Sequence, residues 1–336
     1  MSDFKINSIA TKEGHYGPII AGVSTVNSTG CMSVPSGSTE FRGGRGRMVT
    51  YGGYSPDYLN SMNAIEIATT GSAVDFGDAS ANSGFASGMG SSTRGVFKQG
   101  RGPSYSSTLE FVAFSSLGGV TDFGNDLGVS QDSSASSADN TRGIFGNGTG
   151  YDRKIKVITL ASTGDTSEFG SLGQALYMGG GAGGASQTRG FFFGGRTPGS
   201  TSVNNIEFVT IQTKGDAVDF GDLTVARRAI AAVTNATRAV MCSGDSPATD
   251  TMDFITMASE GNATDFGNIT RQAAGYGAGG STQTRGVITG CSPAPDATAI
   301  DFITIASAGN AQDFGDTTYN TYLNGACSDS HGGLTL

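Results

Sequence analysis

The residues that could perform chemistry in this sequence are few and far apart. The chain contains 2 His and 4 Cys, and no two cysteines form a Cys-x-x-Cys pair, so neither a zinc site nor a redox pair is indicated. Two histidines are too few for a catalytic triad or a histidine-rich metal centre. With no acidic cluster outside the repeated motifs, we expect no enzyme, no cofactor and no metal. The residues concerned are His15, His331, Cys31, Cys242, Cys291 and Cys327.

An acidic residue followed by Phe-Gly recurs six times, at intervals of 46 to 51 residues. In protein kinases Asp-Phe-Gly binds magnesium, but six copies without a His-Arg-Asp catalytic loop cannot form one active site. We interpret the triplet as structural, because Phe can fill apolar space between neighbouring units and Gly permits the positive φ of a tight turn. The repeat aromatics are Phe76, Phe123, Phe169, Phe220, Phe266 and Phe314, with Tyr16 in the same position of a divergent copy.

An arginine recurs at a similar interval, usually in Thr-Arg-Gly and each time before a short apolar run. The divergent copy has His331 and His15 in place of the arginine and the acid, so it loses both charges together. We therefore predict a bidentate ion pair within each unit. Its loss would cost about 3 to 5 kcal/mol if the pair is buried and below about 1 kcal/mol if it is exposed. The predicted pairs are Arg47 with Asp75, Arg94 with Asp122, Arg142 with Glu168, Arg189 with Asp219, Arg238 with Asp265 and Arg285 with Asp313.

A third repeated element lies between the arginine and the triplet, and its clearest copies span residues 252–259 and 300–307. It is rich in Ile, Phe and Thr and is apolar on both alternating faces, which is typical of a strand buried on both sides. The segments 1–17 and 331–336 match the two parts of a seventh unit. A chain that ends with the first part of a unit and begins with the rest predicts ring closure.

These patterns predict an all-β fold with one domain over residues 1–336. We expect a seven-bladed β-propeller whose closure blade is built from both termini, because sheets apolar on both faces must be covered by a neighbour on each side. A β-solenoid is the main alternative, although its coils are usually about 20 to 30 residues long.

The charge and composition exclude several classes of partner. A formal charge of −9 with a pI near 4.7 argues against nucleic acid, which requires a basic face. No window is apolar enough to insert into a membrane, and residues 1–5 do not resemble a secretory signal. The segments 179–184 (a GxGxxG spacing) and 42–47 (an RGG-like run) are interpreted as a glycine-rich turn and a basic surface loop.

The order of arginine strand, Gly-Gly, β-branched strand and aromatic turn resembles that of kelch-like β-propellers. The Phe of Asp-Phe-Gly stands at the position of the kelch tryptophan, although this chain has no Trp. Units of the form Ile-Asp-Phe-Ile-Thr-Ile-Ala-Ser (300–307) followed by Asp-Phe-Gly-Asp (313–316) are similar to repeats encoded by tailed phages of marine bacteria and cyanobacteria. The resemblance covers nearly the whole chain.

Unusual loops are the best candidates for partner contacts, because the strands of a propeller are used in packing. Residues 18–46 form an insertion of 29 residues where the other units have 15 to 18. Its candidate contact residues are Cys31, Met32, Val34, Pro35, Arg42 and Arg45. A second candidate is the set of Gly-Gly loops, including 51–54 and 196–198, whose aromatic and polar tips suit carbohydrate or protein contacts.

The resemblance implies a non-enzymatic virion structural protein of a tailed phage, in the tail, a fibre or another appendage. Expected partners are other virion structural proteins and a host cell-surface glycan or protein, with assembly in the host cytoplasm. An intracellular kelch-like protein-interaction scaffold is the alternative. A propeller glycosidase or lyase would require clustered acids that the sequence does not offer.

Overall fold

The computed structural model describes residues 46–127, 132, 134–146, 148–177, 183–271, 275–290 and 297–329. These residues form 24 β-strands in six antiparallel sheets of four strands each. The fold is a β-propeller, which confirms the expected class. The expected number of seven blades is wrong, because the described residues form six.

The strands follow one another in chain order through the blades. Blade 1 contains β1 (Arg47–Tyr54), β2 (Tyr58–Glu66) and β3 (Val74–Asp78), and blade 2 contains β4 (Ser87–Gly90), β5 (Arg94–Lys98), β6 (Thr108–Ala113) and β7 (Thr121–Asn125). Blade 3 contains β8 (Ala135–Ala138), β9 (Arg142–Gly146), β10 (Lys154–Thr159) and β11 (Ser167–Ser171), and blade 4 contains β12 (Gly183–Ala185), β13 (Arg189–Arg196), β14 (Ser202–Thr210) and β15 (Val218–Asp222). Blade 5 contains β16 (Ala231–Thr234), β17 (Arg238–Gly244), β18 (Thr249–Thr256) and β19 (Thr264–Asn268). Blade 6 contains β20 (Ala278–Ser281), β21 (Arg285–Thr289), β22 (Ala299–Thr304) and β23 (Gln312–Asp316), and β24 (Gly325–Ser328) completes blade 1 as its first strand.

The first strands of the six blades form a closed ring. β24 pairs with β1, so that Met48 lies opposite Ser328, and the amide of Asp329 donates to the carbonyl of Arg47 at 3.0 Å. β24 also contacts β20 and β4, and each of the other first strands contacts the next one. Because this ring is continuous, no gap remains in it for a seventh sheet. Residues 1–17 and 331–336, which were expected to build a closure blade, lie outside the described residues.

Small residues in the first strands let the six sheets approach the axis closely. The sequences are Ser-Gly-Met-Gly in β4, Ala-Ser-Ser-Ala in β8 and Gly-Ala-Cys-Ser in β24. A Cβ atom added to Gly183 would lie 1.8 Å from the carbonyl oxygen of Ser136 in the neighbouring blade. The Ser136 hydroxyl donates to the Gly88 carbonyl at 2.8 Å, and the Ser328 hydroxyl donates to the Ser281 carbonyl at 2.9 Å. The axis is therefore packed with backbone and small side chains.

The six described repeat phenylalanines are buried between blades, as predicted. Each has a relative exposure of 4% or less. Phe123 of blade 2, for example, packs with Ile158 and Leu160 of blade 3, and Phe314 of blade 6 packs with Ile67 of blade 1. Burial of such a ring contributes about 1.5 to 3 kcal/mol. Tyr16, the predicted seventh aromatic, lies outside the described residues.

The glycine after each phenylalanine allows the next blade to approach. Gly221 has a φ of 147°, and a Cβ there would lie 2.5 Å from the carbonyl oxygen of Gly261 in blade 5. In the opposite direction, the Gly261 amide donates to the Phe220 carbonyl at 2.9 Å. A side chain at this position would separate the two sheets, which explains why the triplet ends in glycine.

The repeat arginines do not form the predicted ion pairs. Within the described residues, no ion pair joins any of them to its predicted acid, and the one ion pair that a repeat arginine forms there is that of Arg47 with Glu66 at 2.7 Å. Each arginine instead donates to the carbonyl of the residue that follows the third strand of the next blade. These contacts are Arg47 to Phe114, Arg94 to Leu160, Arg142 to Ile211, Arg189 to Met257, Arg238 to Ile305 and Arg285 to Ile67, at 2.8 to 3.2 Å.

Strand alternation explains why the predicted acids are unavailable. In each fourth strand the phenylalanine points into the layer between blades, so the preceding acid points the other way. Asp75, Asp122, Glu168, Asp219, Asp265 and Asp313 are accordingly all exposed. The arginine guanidiniums are occupied elsewhere, since those of Arg94, Arg189, Arg238 and Arg285 also lie 4.1 to 4.7 Å above a phenylalanine ring of the adjacent third strand.

A different polar position connects the blades. The second residue of the shared third-strand motif is buried and contacts the preceding blade; its occupants are Asn63, Glu110, Lys156, Glu207, Asp253 and Asp301. Asp253 accepts from Thr224 Oγ1 at 2.5 Å and from Arg227 at 2.8 Å, and both partners belong to the connection that leaves blade 4. Between blades 2 and 3 the signs of the two charges are reversed: the third strand supplies the cation Lys156, which donates to Asp126 of the preceding connection at 2.7 Å.

The positions of two acids predict that their substitution will change the free energy of unfolding by very different amounts. Asp253→Asn should lower the free energy of unfolding by about 3 to 5 kcal/mol, because it leaves Arg227 buried without its counter-charge; both side chains are fully buried. Asp219→Asn should change it by less than about 1 kcal/mol, because that carboxylate is exposed. Urea denaturation of the two variants measures the difference, and equal losses would contradict the assignment.

Candidate recognition surface

Tyrosine is concentrated at one end of the ring. We define the upper face by the loops between second and third strands and by the connections from each blade to the next. Every described tyrosine except the buried Tyr51 lies in these segments or in the strand residues that border them. The eight upper-face tyrosines are Tyr54, Tyr58, Tyr105, Tyr151, Tyr177, Tyr276, Tyr319 and Tyr322.

The lower face has a different composition. Its described turns, between first and second strands and between third and fourth strands, contain no tyrosine and are rich in Ser, Thr, Gly and Ala. A depression of about 540 Å³ opens there between blades 4 and 5, lined in part by Gln187, Arg189 and Met257. Because the Arg189 guanidinium already donates to the Met257 carbonyl at 3.0 Å, this depression offers little free recognition chemistry.

A collar of backbone hydrogen bonds forms the rim of the axis at the upper face. The Phe85 amide donates to the Leu323 carbonyl at 2.6 Å, Leu323 donates to Tyr276 at 3.0 Å, and Tyr276 donates to Ala229 at 2.8 Å. These four residues come from four blades, and all have φ values between 55° and 63°. Non-glycine residues rarely adopt this conformation. The collar fixes the loops of blades 5, 6, 1 and 2 relative to one another.

Arg228 connects two tyrosines beside this collar. Its guanidinium lies 5.5 Å from the ring centre of Tyr177 and 5.8 Å from that of Tyr276. Asp245 pairs with Arg228 at 2.5 Å and accepts from the Tyr276 hydroxyl at 3.1 Å. Burial, together with the nearby Asp245 carboxylate, holds the pKa of Tyr276 well above its usual range. The hydroxyl therefore stays protonated, and the group formed by Arg228, Asp245 and Tyr276 has no net charge.

The aromatic row continues on both sides of Arg228. Tyr276 meets Phe85 at a ring distance of 6.0 Å. On the other side, Arg196 lies 5.1 Å from the ring centre of Tyr177 and donates to the hydroxyl of Tyr151 at 3.2 Å. Residues of blades 2 to 6 thus contribute to one continuous surface, which we call the mouth cluster (Phe85, Tyr151, Tyr177, Arg196, Arg228, Asp245 and Tyr276).

Blades 1 and 2 carry a second aromatic group on the same face. Tyr54 packs edge-on against Tyr58 at 5.1 Å and against Tyr322 at 5.6 Å. Arg101 lies 5.4 Å from the ring centre of Tyr105, and Arg101 and Tyr105 are both exposed. Tyrosine rings combine a large apolar face with a polar hydroxyl, so the two groups suit ligands that present both kinds of surface.

Of the two contact regions predicted from the sequence, only the Gly-Gly loops lie among the described residues. The insertion residues Cys31, Met32, Val34, Pro35, Arg42 and Arg45 lie outside the described residues. Of the Gly-Gly loops, Arg196 and Tyr54 do lie on the upper face. Tyr51, by contrast, is buried, stacks on Phe97 at 4.8 Å and donates to Glu110 at 2.6 Å.

Sequence reasoning missed most of the upper-face tyrosines. Tyr177, Tyr276 and Tyr322 stand in the connections between blades, outside all three repeated motifs. The available signal was their distribution, since Tyr is absent from the repeat consensus but occurs at blade connections and second-to-third strand loops. Only the closed ring brings residues as distant in sequence as Phe85 and Tyr276 together.

The described part of the chain contains no group of three or more His, Cys, Asp or Glu residues placed to hold a metal ion, and no helix in it could cross a membrane. Cys242 and Cys327 are buried, and burial raises the pKa of Cys327. Neither thiol is therefore an activated nucleophile.

No model of a known protein family and no curated protein matches this chain.

A buried charge cluster lies between blades 2 and 3. Lys98 ends β5 and is 1% exposed; its Nζ atom lies 3.9 Å from Asp126, which also pairs with Lys156 at 2.7 Å. Burial lowers the pKa of Lys98 to about 8, and the carboxylates of Asp126 and Asp132 oppose that shift. The folded protein consequently releases this proton at a lower pH than the unfolded chain does.

This cluster predicts a pH dependence of stability with a defined sign. Between about pH 8 and the ordinary lysine pKa, the unfolded state binds more protons than the folded state, so the free energy of unfolding rises with pH. Wild type should therefore gain stability relative to Lys98→Met as the pH rises from about 7.5 to about 9.5. Urea denaturation at both pH values measures this, with the exposed Lys214→Met as control. A constant difference between wild type and Lys98→Met would refute the prediction.

Proposed function

We propose that this β-propeller is a non-enzymatic recognition subunit of a tailed-phage virion, in the tail, a fibre or another appendage. In this proposal its upper face contacts the surface of the host cell. The observation that carries the proposal is the segregation of tyrosine, and of the arginines that stack on tyrosine rings, to that face of the described ring. The kelch-like order of the repeats, and their similarity to repeats encoded by tailed phages, support the viral context.

The physical properties of the face favour binding over catalysis. Tyr and Arg are enriched in binding hot spots because they supply large contact areas together with directed hydrogen bonds. The collar and the interblade contacts hold their backbones, so little conformational entropy is lost on binding. Loops carried by a rigid scaffold are common sites of recognition.

A host glycan is the ligand class that the face suits best. Sugars present C–H faces and hydroxyl groups, which match the rings and hydroxyls of Tyr54, Tyr58 and Tyr322. In this proposal the lower face is left for neighbouring virion proteins. The same residues also occur in protein interfaces, so an intracellular kelch-like scaffold is the alternative that the experiment must separate.

The first test concerns location. Mass spectrometry and immunogold labelling of purified phage particles should find the protein in the virion, on an exposed appendage. Its absence from particles would overturn the virion proposal, and stable association with a protein of the infected cell would favour the scaffold instead.

The second test concerns the upper face. Purified propeller labelled with a fluorophore should bind host cells, and Tyr54→Ala combined with Tyr322→Ala should weaken that binding about tenfold or more, because each ring supplies hot-spot contact area. Leu117→Ala is the matched control, since Leu117 is 58% exposed on the lower face. Equal effects of both changes would place the contact elsewhere. Circular dichroism should show that all variants remain folded.

A further inference from the structure

We propose that the mouth cluster contains a subsite for a carboxylate-bearing sugar, centred on the guanidinium of Arg196. This inference rests on the proposed function and names the chemical class of the glycan. It assigns the acidic group of a uronic acid, or of a related sugar acid, to one side chain.

Arg196 is held in a defined position before any ligand arrives. Its backbone exchanges two hydrogen bonds with Tyr177, both at 2.8 Å. Its side chain lies over the Tyr177 ring and donates through one terminal nitrogen to the Tyr151 hydroxyl at 3.2 Å. The two tyrosine rings lie 6.3 Å apart. The guanidinium therefore has little freedom left to lose when it binds an anion.

The charge of Arg196 is not neutralised within the described residues. Its neighbour Arg228 pairs with Asp245, but no described carboxylate lies within ion-pair distance of Arg196. The adjoining sequence 178–182 is Met-Gly-Gly-Gly-Ala and contains no acid. A partly buried cation without a partner is costly, and in a binding surface a ligand anion removes that cost.

One nitrogen of the same side chain is also unsatisfied. The Nε atom of Arg196 is buried and has no hydrogen-bond partner. A buried donor without an acceptor costs about 1 to 3 kcal/mol, and such groups in folded proteins call for an explanation such as a bound ion or an ordered water. A planar carboxylate fits the fork of a guanidinium and accepts two parallel hydrogen bonds from it.

The surroundings favour a sugar over an acidic peptide. Peptides that bind through their backbone need a free strand edge, but β13, which ends at Arg196, is paired on both sides by β12 and β14. The groups that surround the guanidinium are instead the hydroxyl of Tyr151 and the rings of Tyr151 and Tyr177. These supply the apolar faces and the single hydroxyl partner that a sugar ring requires.

The test uses matched acidic and neutral sugars with the full chain. An array would carry oligosaccharides of hexuronic acids beside the same oligosaccharides after their carboxyl groups have been reduced to hydroxymethyl groups. Wild type should bind the acidic forms about tenfold or more tightly, because each charge-assisted contact is stronger than a neutral one. Arg196→Gln should abolish this preference, and Arg196→Lys should restore only part of it, because lysine lacks the fork.

Lys214→Gln is the matched control, because it removes the same charge from the lower face of the same blade. It should leave the preference unchanged within about twofold. Loss of preference in this control, equal binding of acidic and reduced sugars, or full preference in Arg196→Gln would each overturn the subsite. Tighter binding of polyglutamate than of any sugar would replace it by an acidic-peptide site.

The outcomes also separate this inference from the proposed function. Wild type that binds host cells or neutral glycans without any acidic preference would refute the subsite and leave the recognition function standing. Wild type that binds no glycan and no host cell, and is absent from particles, would refute both.

Discussion

Each sheet of this protein is apolar on both faces, and that property determines the architecture. A sheet of this kind must be covered on both sides, and six such sheets satisfy one another only when the ring closes. The buried layers between blades provide the evidence: Phe76 of blade 1 packs with Phe97 and Phe114 of blade 2, and the sixth blade packs against the first through Phe314. Without closure, two of these faces would be exposed to water.

Polar contacts fix how each blade sits against the next. Apolar layers alone are non-directional, whereas the arginine contacts to carbonyls and the buried third-strand position have defined geometry. Asp253 with Thr224 and Arg227 is the clearest case. Because the blades are held in register in this way, the connections between them have fixed places, and the collar of Phe85, Leu323, Tyr276 and Ala229 can form.

The sequence predicted the features that depend on local repetition. The β-strands and the burial of the phenylalanines follow from alternation and packing, and both appear in the structure. The glycine after each phenylalanine was expected to form a tight turn, but it lies inside the fourth strand, where it lets the backbone of the next blade approach. The number of blades could not be obtained in this way, because it depends on how closely the first strands approach. Ser136 and Gly183 show that this approach is set by small residues, which periodicity does not measure.

The wrong predictions about the ion pairs have one cause. Counting charges matched Arg189 with Asp219, but a count ignores the side of the strand on which a carboxylate lies, and Asp219 is on the exposed side. The buried acid was present in the third element, at Asp253 and Asp301, as a polar residue in an otherwise apolar strand. The tyrosine-rich upper face could not be predicted from the repeat, because its tyrosines stand at different positions of the repeat in different blades.

The pairing of β24 with β1, which closes blade 1, has a mechanical consequence. Arg47 begins β1 and Asp329 follows β24, and the two residues are bonded side by side at the lower end of the blade. The polypeptide therefore enters and leaves the described ring at neighbouring points, on the side away from the tyrosines. A protein attached to the propeller at these two points would leave the upper face, with its tyrosines, directed away from the attachment. A force that draws these two points apart would break the hydrogen bonds between β24 and β1 one after another, beginning at this end. Mechanical opening of the ring would therefore begin at the strand pair that is closest to the attachment points.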